Sequence, residues 1–393
     1  MTVNLPKTDF PARAGLATLE PAYLASWPQY ADPETPTYYL HDGPPYPNGP
    51  IHAGHALNKI VKDCVARIQR MRGHAVSFRP GWDCHGLPIE TQVLKKQAGR
   101  THALDSDAFR QTCAAFAQEH VERQKADFKR LGIDADWENP YLTLQPEYMA
   151  GVIQLVQDLV DQNLIYYGRK PIHWCIHCRT ALADAEINYA PHTSHTMTVK
   201  FKLVTPPIDA QKPVYALVWT TTPWTLPANV GLAVNPEHAY VFIDTGDSIA
   251  VMAADADRVA GPVIHTCMGR DLIYGEATHP FLDKRVPLGG AAFVTATDGT
   301  GIVHIAPGHG DVDHQLGMQL NWPVLMPVGD DGCYTTGLFT GQSILEIAPV
   351  IEAELIKRQT LANQAKRQHS YPHCWRCQQP VIVRATPQWF IAL

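Results

Sequence analysis

Between residues 52 and 72 the apolar positions Leu57, Ile60, Val61, Cys64, Ile68 and Met71 recur at steps of three and four. Lys59, Lys62, Arg67 and Arg70 fall mostly off that stripe, and Gly73 follows. The spacing predicts a helix from His52 to Arg72 that stops at the glycine. Thr37 to His41 and Ala75 to Phe78 read as short strands on either side. Residues 37–78 are therefore expected to form one βαβ unit of a doubly wound parallel sheet, whose ligands bind beyond the carboxyl ends of the strands. Helical spacing returns from Asp107 to Leu131, with Phe109, Cys113, Phe116, Phe128 and Leu131 placed for a buried stripe, and again from Glu147 to Leu164.

After Asp184 the pattern shifts to short β-rich runs separated by Pro, Gly, Asn and Asp. Thr196 to Leu203, Val214 to Thr220, Tyr240 to Asp244, Ser248 to Met252 and Ala292 to Thr295 are the expected strands of a separate β-rich domain reaching to about Gly341. Ser343 to Ile356 reads as a last helix.

Composition narrows the class. With 393 residues, 45% hydrophobic and 18% charged, the chain is long enough for two or three cores and too ordinary for disorder, collagen or coiled coil. No apolar run approaches the roughly 18 residues of a membrane span, and the opening residues lack a signal-peptide core, so the expectation is cytoplasmic with no membrane partner. A net charge of -6 excludes a wholesale electrostatic grip on nucleic acid. A local strip of Lys95, Lys96, Arg100, Arg123, Lys125, Lys129 and Arg130 remains a candidate for phosphate contact, although solvated helix faces look the same.

Candidate chemistry concentrates in three places. The first is HDGPPYPNGPIHAGHALNK followed by GWDCHGLPIE, which has neither a G-x-x-x-x-G-K-[ST] loop nor a G-x-G-x-x-G turn. His52 and His55 lie three apart in the first helical turn, where free N–H groups favour an anion, and Gly54 leaves room for a flat ring against the backbone. Two incidental histidines at a helix start are the plain alternative. The second is the pair of knuckles Cys175/Cys178 and Cys374/Cys377, which suits a closed four-thiolate zinc site at the neck of an inserted domain. Buried thiols or a redox pair are the other readings, and His173, His177 or His373 could replace a cysteine. The third comprises Thr220, Thr221, Thr222 and Asn229 in one loop and His304, His309 and Asp313 in and after a later short strand. Together these side chains could line a polar pocket, or simply decorate a β surface.

PYPNGPIHAGH resembles the HIGH signature of class I aminoacyl-tRNA synthetases, and GWDCHGLPIE is similar to the stretch that marks the isoleucine branch of that family. Ala53 departs from the second letter of the signature at a variable place. TTTPWTLPAN, GTGIVHIAPGHGDVD, the cysteine pairs and TPQWF match in order, so the resemblance covers essentially the whole chain. It implies an α/β fold: the first half of a doubly wound, Rossmann-type parallel sheet with an inserted β-rich editing domain. The expected boundaries are 1–184 for the first catalytic half and first knuckle, 185–368 for the insert, and 369–393 for the second knuckle and return.

The same resemblance implies ATP-dependent activation of isoleucine and transfer to tRNA(Ile), with ATP, Mg2+ and a structural Zn2+. It also implies hydrolytic editing of mischarged valyl-tRNA(Ile) and a monomeric full-length enzyme. His52, Gly54 and His55 take the catalytic role. Gly43, Pro44, Pro45, Asn48, Trp82 and Asp83 hold the adenylate and ATP, with Asp83 on the substrate ammonium and Pro44 and Trp82 beside the side-chain pocket. Thr221, Thr222 and Asn229 position the ester and terminal ribose in editing, His304 limits the pocket and Asp313 holds the ammonium. Editing is expected on physical grounds, because a missing methylene is worth only about 1–3 kcal/mol; isoleucine against valine is the usual illustration.

No KMSKS-like segment occurs, so the chain is expected to be an N-terminal fragment inactive in adenylation by itself. A stand-alone trans-editing aminoacyl-tRNA hydrolase and a degenerate tRNA-binding paralogue are the alternatives. Retention of His52, His55, Asp83 and Asp313 together argues against the paralogue, and GWDCHGLPIE against a valine enzyme.

Overall fold

The structure is a computed structural model that describes residues 15–27, 33–96, 106–257, 259–297 and 299–392. Arg100 of the basic strip and the opening residues lie outside the described residues. The chain divides into two compact units, Met1–Leu164 and Ile165–Leu393.

In chain order, unit 1 contains α1 (Leu16–Ser26), β1 (Tyr38–Tyr39), α2 (Ala53–Met71), β2 (Val76–Ser77), β3 (Gly81–Trp82), α3 (Leu87–Lys96), α4 (Ser106–Arg130), β4 (Tyr141–Leu142) and α5 (Pro146–Asp161). β1 and β2 pair in parallel, Tyr38 opposite Val76, with α2 as the crossover, so the expected βαβ unit is present. β3 and β4 form a second parallel pair, Gly81 opposite Tyr141. Gly81 is obligatory there, because a Cβ would lie 2.0 Å from the Tyr141 ring. Phe78, Trp82, Ile89, Phe116, Phe128 and Trp137 fill the core.

α2 forms where its periodicity predicts, but with the opposite face inward. Its buried residues are Lys59, Asp63 and Ala66, while Leu57 and Met71 are 67% and 84% exposed. Ion pairs explain the inversion: Lys59 and Lys62 reach Asp42, Arg67 reaches Asp63, and Arg70 reaches Asp134. In α4 the stripe is partly as expected, with Phe116 and Phe128 buried and Leu131 exposed beyond the helix end. α1 and α3 carry no prediction.

Unit 2 opens with β5 (Ile165–Cys175), β6 (Thr180–Leu182), β7 (Ile187–Leu203), β8 (Val214–Thr220), β9 (Gly231–Val234), β10 (Ala239–Asp244), β11 (Ile249–Ala253) and β12 (Val263–Met268). It continues with β13 (Glu276–Thr278), β14 (Arg285–Gly290), β15 (Ile302–Ile305), α6 (Asp311–Gln319), α7 (Ala348–Lys357), β16 (Leu361–Cys374) and β17 (Ile382–Ile391). A ten-stranded mixed sheet runs β12-β10-β11-β8-β7-β13-β14-β9-β15, with β16 also on β7. β17, β5 and β6 form a separate three-stranded sheet. The apolar core gathers Val199, Phe201, Val218, Leu232, Phe242 and Val251 with Ile351 and Leu355 of α7.

Two expectations need correction. Ala292 to Thr295 is a turn, not a strand: the Asn235 amide donates to the carbonyls of Ala292 and Val294, at 3.3 and 3.0 Å, in place of a ladder. The last helix starts at Ala348 rather than Ser343, because Ser343 bridges Cys333 and Pro349 occupies the first helical turn.

Candidate functional site

In unit 1 the site begins where β1 ends. Asp42 is fully buried and accepts from Lys59, from Lys62 at 2.8 Å and from the Gly81 N–H at 3.0 Å. One carboxylate thus ties the HDGPPYPNG loop to α2 and β3. The loop is held again by Gln124, which donates to the carbonyls of Tyr46 and Gly49 at 3.2 and 2.8 Å, and by the Asp83 N–H, which donates to Pro45 at 3.0 Å. Asp42, Lys59 and Gln124 escaped sequence reasoning. The available signal was polar residues at helix positions facing inward.

His52 caps α2. Its Nδ1 accepts from the N–H groups of Gly54 and His55 at 3.1 and 3.4 Å, which leaves Nε2–H of the neutral ring as a donor. Two backbone donors expected to face an anion are therefore used internally, and the imidazole carries the donor role outward. A Cβ at Gly54 would lie 3.0 Å from the His52 ring, so glycine lets the ring fold over the helix start. The His55 ring stacks on His52 with centroids 3.8 Å apart. Burial, then His52 and Lys59, push the His55 imidazole below its ordinary range, so it is neutral at pH 7.

Of the remaining candidates in this unit, Gly43 is exposed, and Pro44, Pro45, Asn48 and Asp83 are half-buried. A Cβ at Gly43 would stand 3.7 Å from Lys62 Nζ. Trp82 is fully buried, with its Nε1–H on Gln124 at 2.9 Å, so its indole lies in the core of the unit. In the basic strip, Lys96 lies over Phe116, Lys129 pairs with Glu138 and Arg130 with Glu20.

In unit 2 the four knuckle cysteines converge, with sulfurs all within 4.8 Å of one another. A tetrahedral Zn–S distance of about 2.3 Å requires sulfurs about 3.8 Å apart, so the cluster fits zinc. Both knuckles turn on a left-handed residue after the second cysteine, Arg179 at φ 51 and Gln378 at φ 59. Burial pushes the Cys175 thiol up to about 11 and raises that of Cys178. Bringing these sulfurs together as thiolates calls for a bound cation. Cys175, Cys178, Cys374 and Cys377 would hold the metal, which supplies charge compensation and a closed cross-link. His173, His177 and His373 stand outside the cluster.

Thr221 and Thr222 line a cavity of about 330 Å³ together with the apolar Ile176, Ile344, Leu345 and Ile347 and the polar or aromatic His192, Ser194, His195 and Tyr371. Asn229, His304, His309 and Asp313 are not among its lining residues. Thr222 lies 3.5 Å from Thr225, whose hydroxyl donates to the Thr222 carbonyl at 2.8 Å. With its one proton spent, Thr225 accepts from His304 Nε2–H at 2.9 Å, leaving His304 Nδ1 a buried lone pair. His309 Nδ1–H donates to Val383 O at 3.1 Å, leaving Nε2 likewise unpaired. Burial lowers both imidazoles to about 4. Asp313, in the first turn of α6, accepts from the Ala306 N–H at 2.8 Å, and burial raises its carboxyl to about 6. Asn229 is fully buried and donates to Gly231 O at 2.8 Å, away from the cavity lining. Thr225 is the linking residue that sequence reasoning passed over.

Comparison with known proteins shows the family of the chain. A family model described as tRNA synthetases class I (I, L, M and V) matches residues 25–393. Isoleucine--tRNA ligase of Persephonella marina is 42% identical over 413 residues, covering 100% of this chain and 44% of the relative. That of Fervidobacterium pennivorans is 43% identical over 410 residues, with the same coverage. The chain spans less than half the length of these relatives.

Two solved structures also match, both with a TM-score of 0.39. "The crystal structure of GlLeuRS-CP1" is 14% identical and covers 43% of this chain and 99% of that one. A ternary complex of Agrobacterium radiobacter K84 agnB2 LeuRS is 18% identical, covering 95% and 52%. With the family model matching nearly the whole chain, this protein belongs to the class I tRNA synthetases of the isoleucine, leucine, methionine and valine group.

Proposed function

We propose that the chain carries the amino-acid-activating histidines and the editing cavity of an isoleucine--tRNA ligase. Such an enzyme joins isoleucine to ATP as isoleucyl-AMP, passes it to tRNA(Ile), and hydrolyses valyl-tRNA(Ile). The observation that carries this reading is the stacked His52–His55 pair at the start of α2, in a chain 42% identical along its whole length to an isoleucine--tRNA ligase.

The chemistry follows from positions. When the isoleucine carboxylate attacks the α-phosphorus of ATP, negative charge builds on the phosphate oxygens. The His52 Nε2–H, held by its own helix, meets that charge without reorganisation. Asp83 holds the substrate ammonium, while Gly43, Pro44, Pro45 and Asn48 border the adenylate. ATP arrives with Mg2+. In unit 2 Thr221 and Thr222 hold the ester, and ionised Asp313 attracts the ammonium.

A non-hydrolysable isoleucyl adenylate, isoleucyl sulfamoyl adenosine, tests the first site by calorimetric titration. Binding is expected for the wild type, with loss of at least tenfold in His55→Ala and in Asp83→Ala. Binding indifferent to both substitutions contradicts the assignment.

A further inference from the structure

β17 is an edge strand, paired with β5 and, among the described residues, with no other strand. Such an edge leaves alternate residues with a backbone donor and acceptor outside the ladder. On β17 two of these groups are taken by a loop. The Ala385 N–H donates to the Gly308 carbonyl at 2.8 Å, and the Val383 carbonyl accepts from His309 Nδ1–H at 3.1 Å. The imidazole thus stands in for the backbone N–H that a further strand would have supplied. Arg384, between the two, donates to the Val328 carbonyl at 3.1 Å.

This join connects two parts of the proposed editing site. Pro380 and Val381 lead into β17 and Ile382 opens it, and all three line the cavity beside Thr221 and Thr222. The loop that carries His309 runs on into α6, whose first turn holds Asp313. The His309 ring also meets Trp224, another lining residue, edge to face with centroids 4.9 Å apart at 82°. A Cβ at Gly308 would lie 2.2 Å from the Leu325 carbonyl, so the loop is packed directly on backbone there.

We infer that His309 is a positioning residue of the editing site: its Nδ1–H fastens the edge of β17, and with it the cavity wall at residues 380–382, to the loop that leads to Asp313. The inference rests on the editing reading above and adds a residue that acts through Val383 and Trp224 rather than on the substrate. Its contribution is alignment, so its loss lowers the rate of hydrolysis in the bound complex more than it weakens binding.

The test follows steady-state release of valine from valyl-tRNA(Ile) by the full 393-residue chain, with folding read by circular dichroism. His309→Phe keeps a ring beside Trp224 but has no donor, and His309→Gln offers its amide at the Nε2 position. Both are expected to lower kcat by about tenfold or more while KM moves by less than about twofold. His309→Asn, whose amide nitrogen falls near the Nδ1 position, is expected to return kcat to within about threefold of the wild type. Unchanged kcat in the Phe and Gln variants, a loss carried by KM, or equal loss in Asn and Gln overturns the positioning role and leaves the editing reading standing. Absence of valine release by the wild type overturns the editing reading and the positioning role with it.

Discussion

Asp42 is the residue on which the proposed activation site rests. It neutralises Lys59, itself only 2% exposed, and fixes the loop ahead of the histidines. Removing one partner of a buried pair strands the other charge, at a cost of about 3–5 kcal/mol. Asp42→Asn is expected to show that loss in urea unfolding of unit 1, and pairing it with Lys59→Met is expected to recover most of it. Asp313 makes the converse point. Its carboxyl is raised to about 6, so the folded state holds the proton more tightly than the unfolded chain does. Its contribution is favourable below the unfolded value near 4 and is lost as pH rises to 6. Asp313→Asn should therefore gain on wild type by about 1–2 kcal/mol between pH 4 and 7, read from denaturant midpoints at each pH.

Among the elements, β5 and β16, which end at Cys175 and Cys374, carry the metal argument. The cysteine spacing is legible in the sequence because two knuckles need only local turns, and the structure brings all four sulfurs together. One zinc per chain is expected by elemental analysis. Chelation or Cys374→Ser should lower the melting temperature of unit 2 by several degrees, since about 1 kcal/mol shifts a domain of this size by roughly 2–4 °C. α2 shows the limit of pattern reading. Its period is plain, but which face turns inward is decided by Asp42, Asp63 and Asp134, two of them outside the helix. Asn235 similarly replaces a strand at residues 292–295 with side-chain hydrogen bonds that no local pattern announces. The Thr222–Thr225–His304 chain was invisible for the same reason, as it joins residues some 79 positions apart.

At the scale of the molecule, the β-rich unit stores neutral histidines in its interior. Burial lowers His279 to about 3 and His304 to about 4. Unfolded, both take up protons near pH 6.5, so their contribution is full above that value and is lost as pH falls toward their folded values. Each is expected to remove on the order of 3 kcal/mol by pH 4, outweighing the opposite effect of Asp313. Unit 2 should therefore unfold on acidification, and His279→Gln should flatten the fall between pH 6 and 4 in thermal scans.

The proposed division of labour between the two units is tested most directly by incubating the chain with valyl-tRNA(Ile) and isoleucyl-tRNA(Ile) and following release of the amino acid. The account predicts that valine is released well above the spontaneous rate, that isoleucine stays attached, and that Asp313→Ala abolishes the difference. Equal release of both, or of neither, contradicts it.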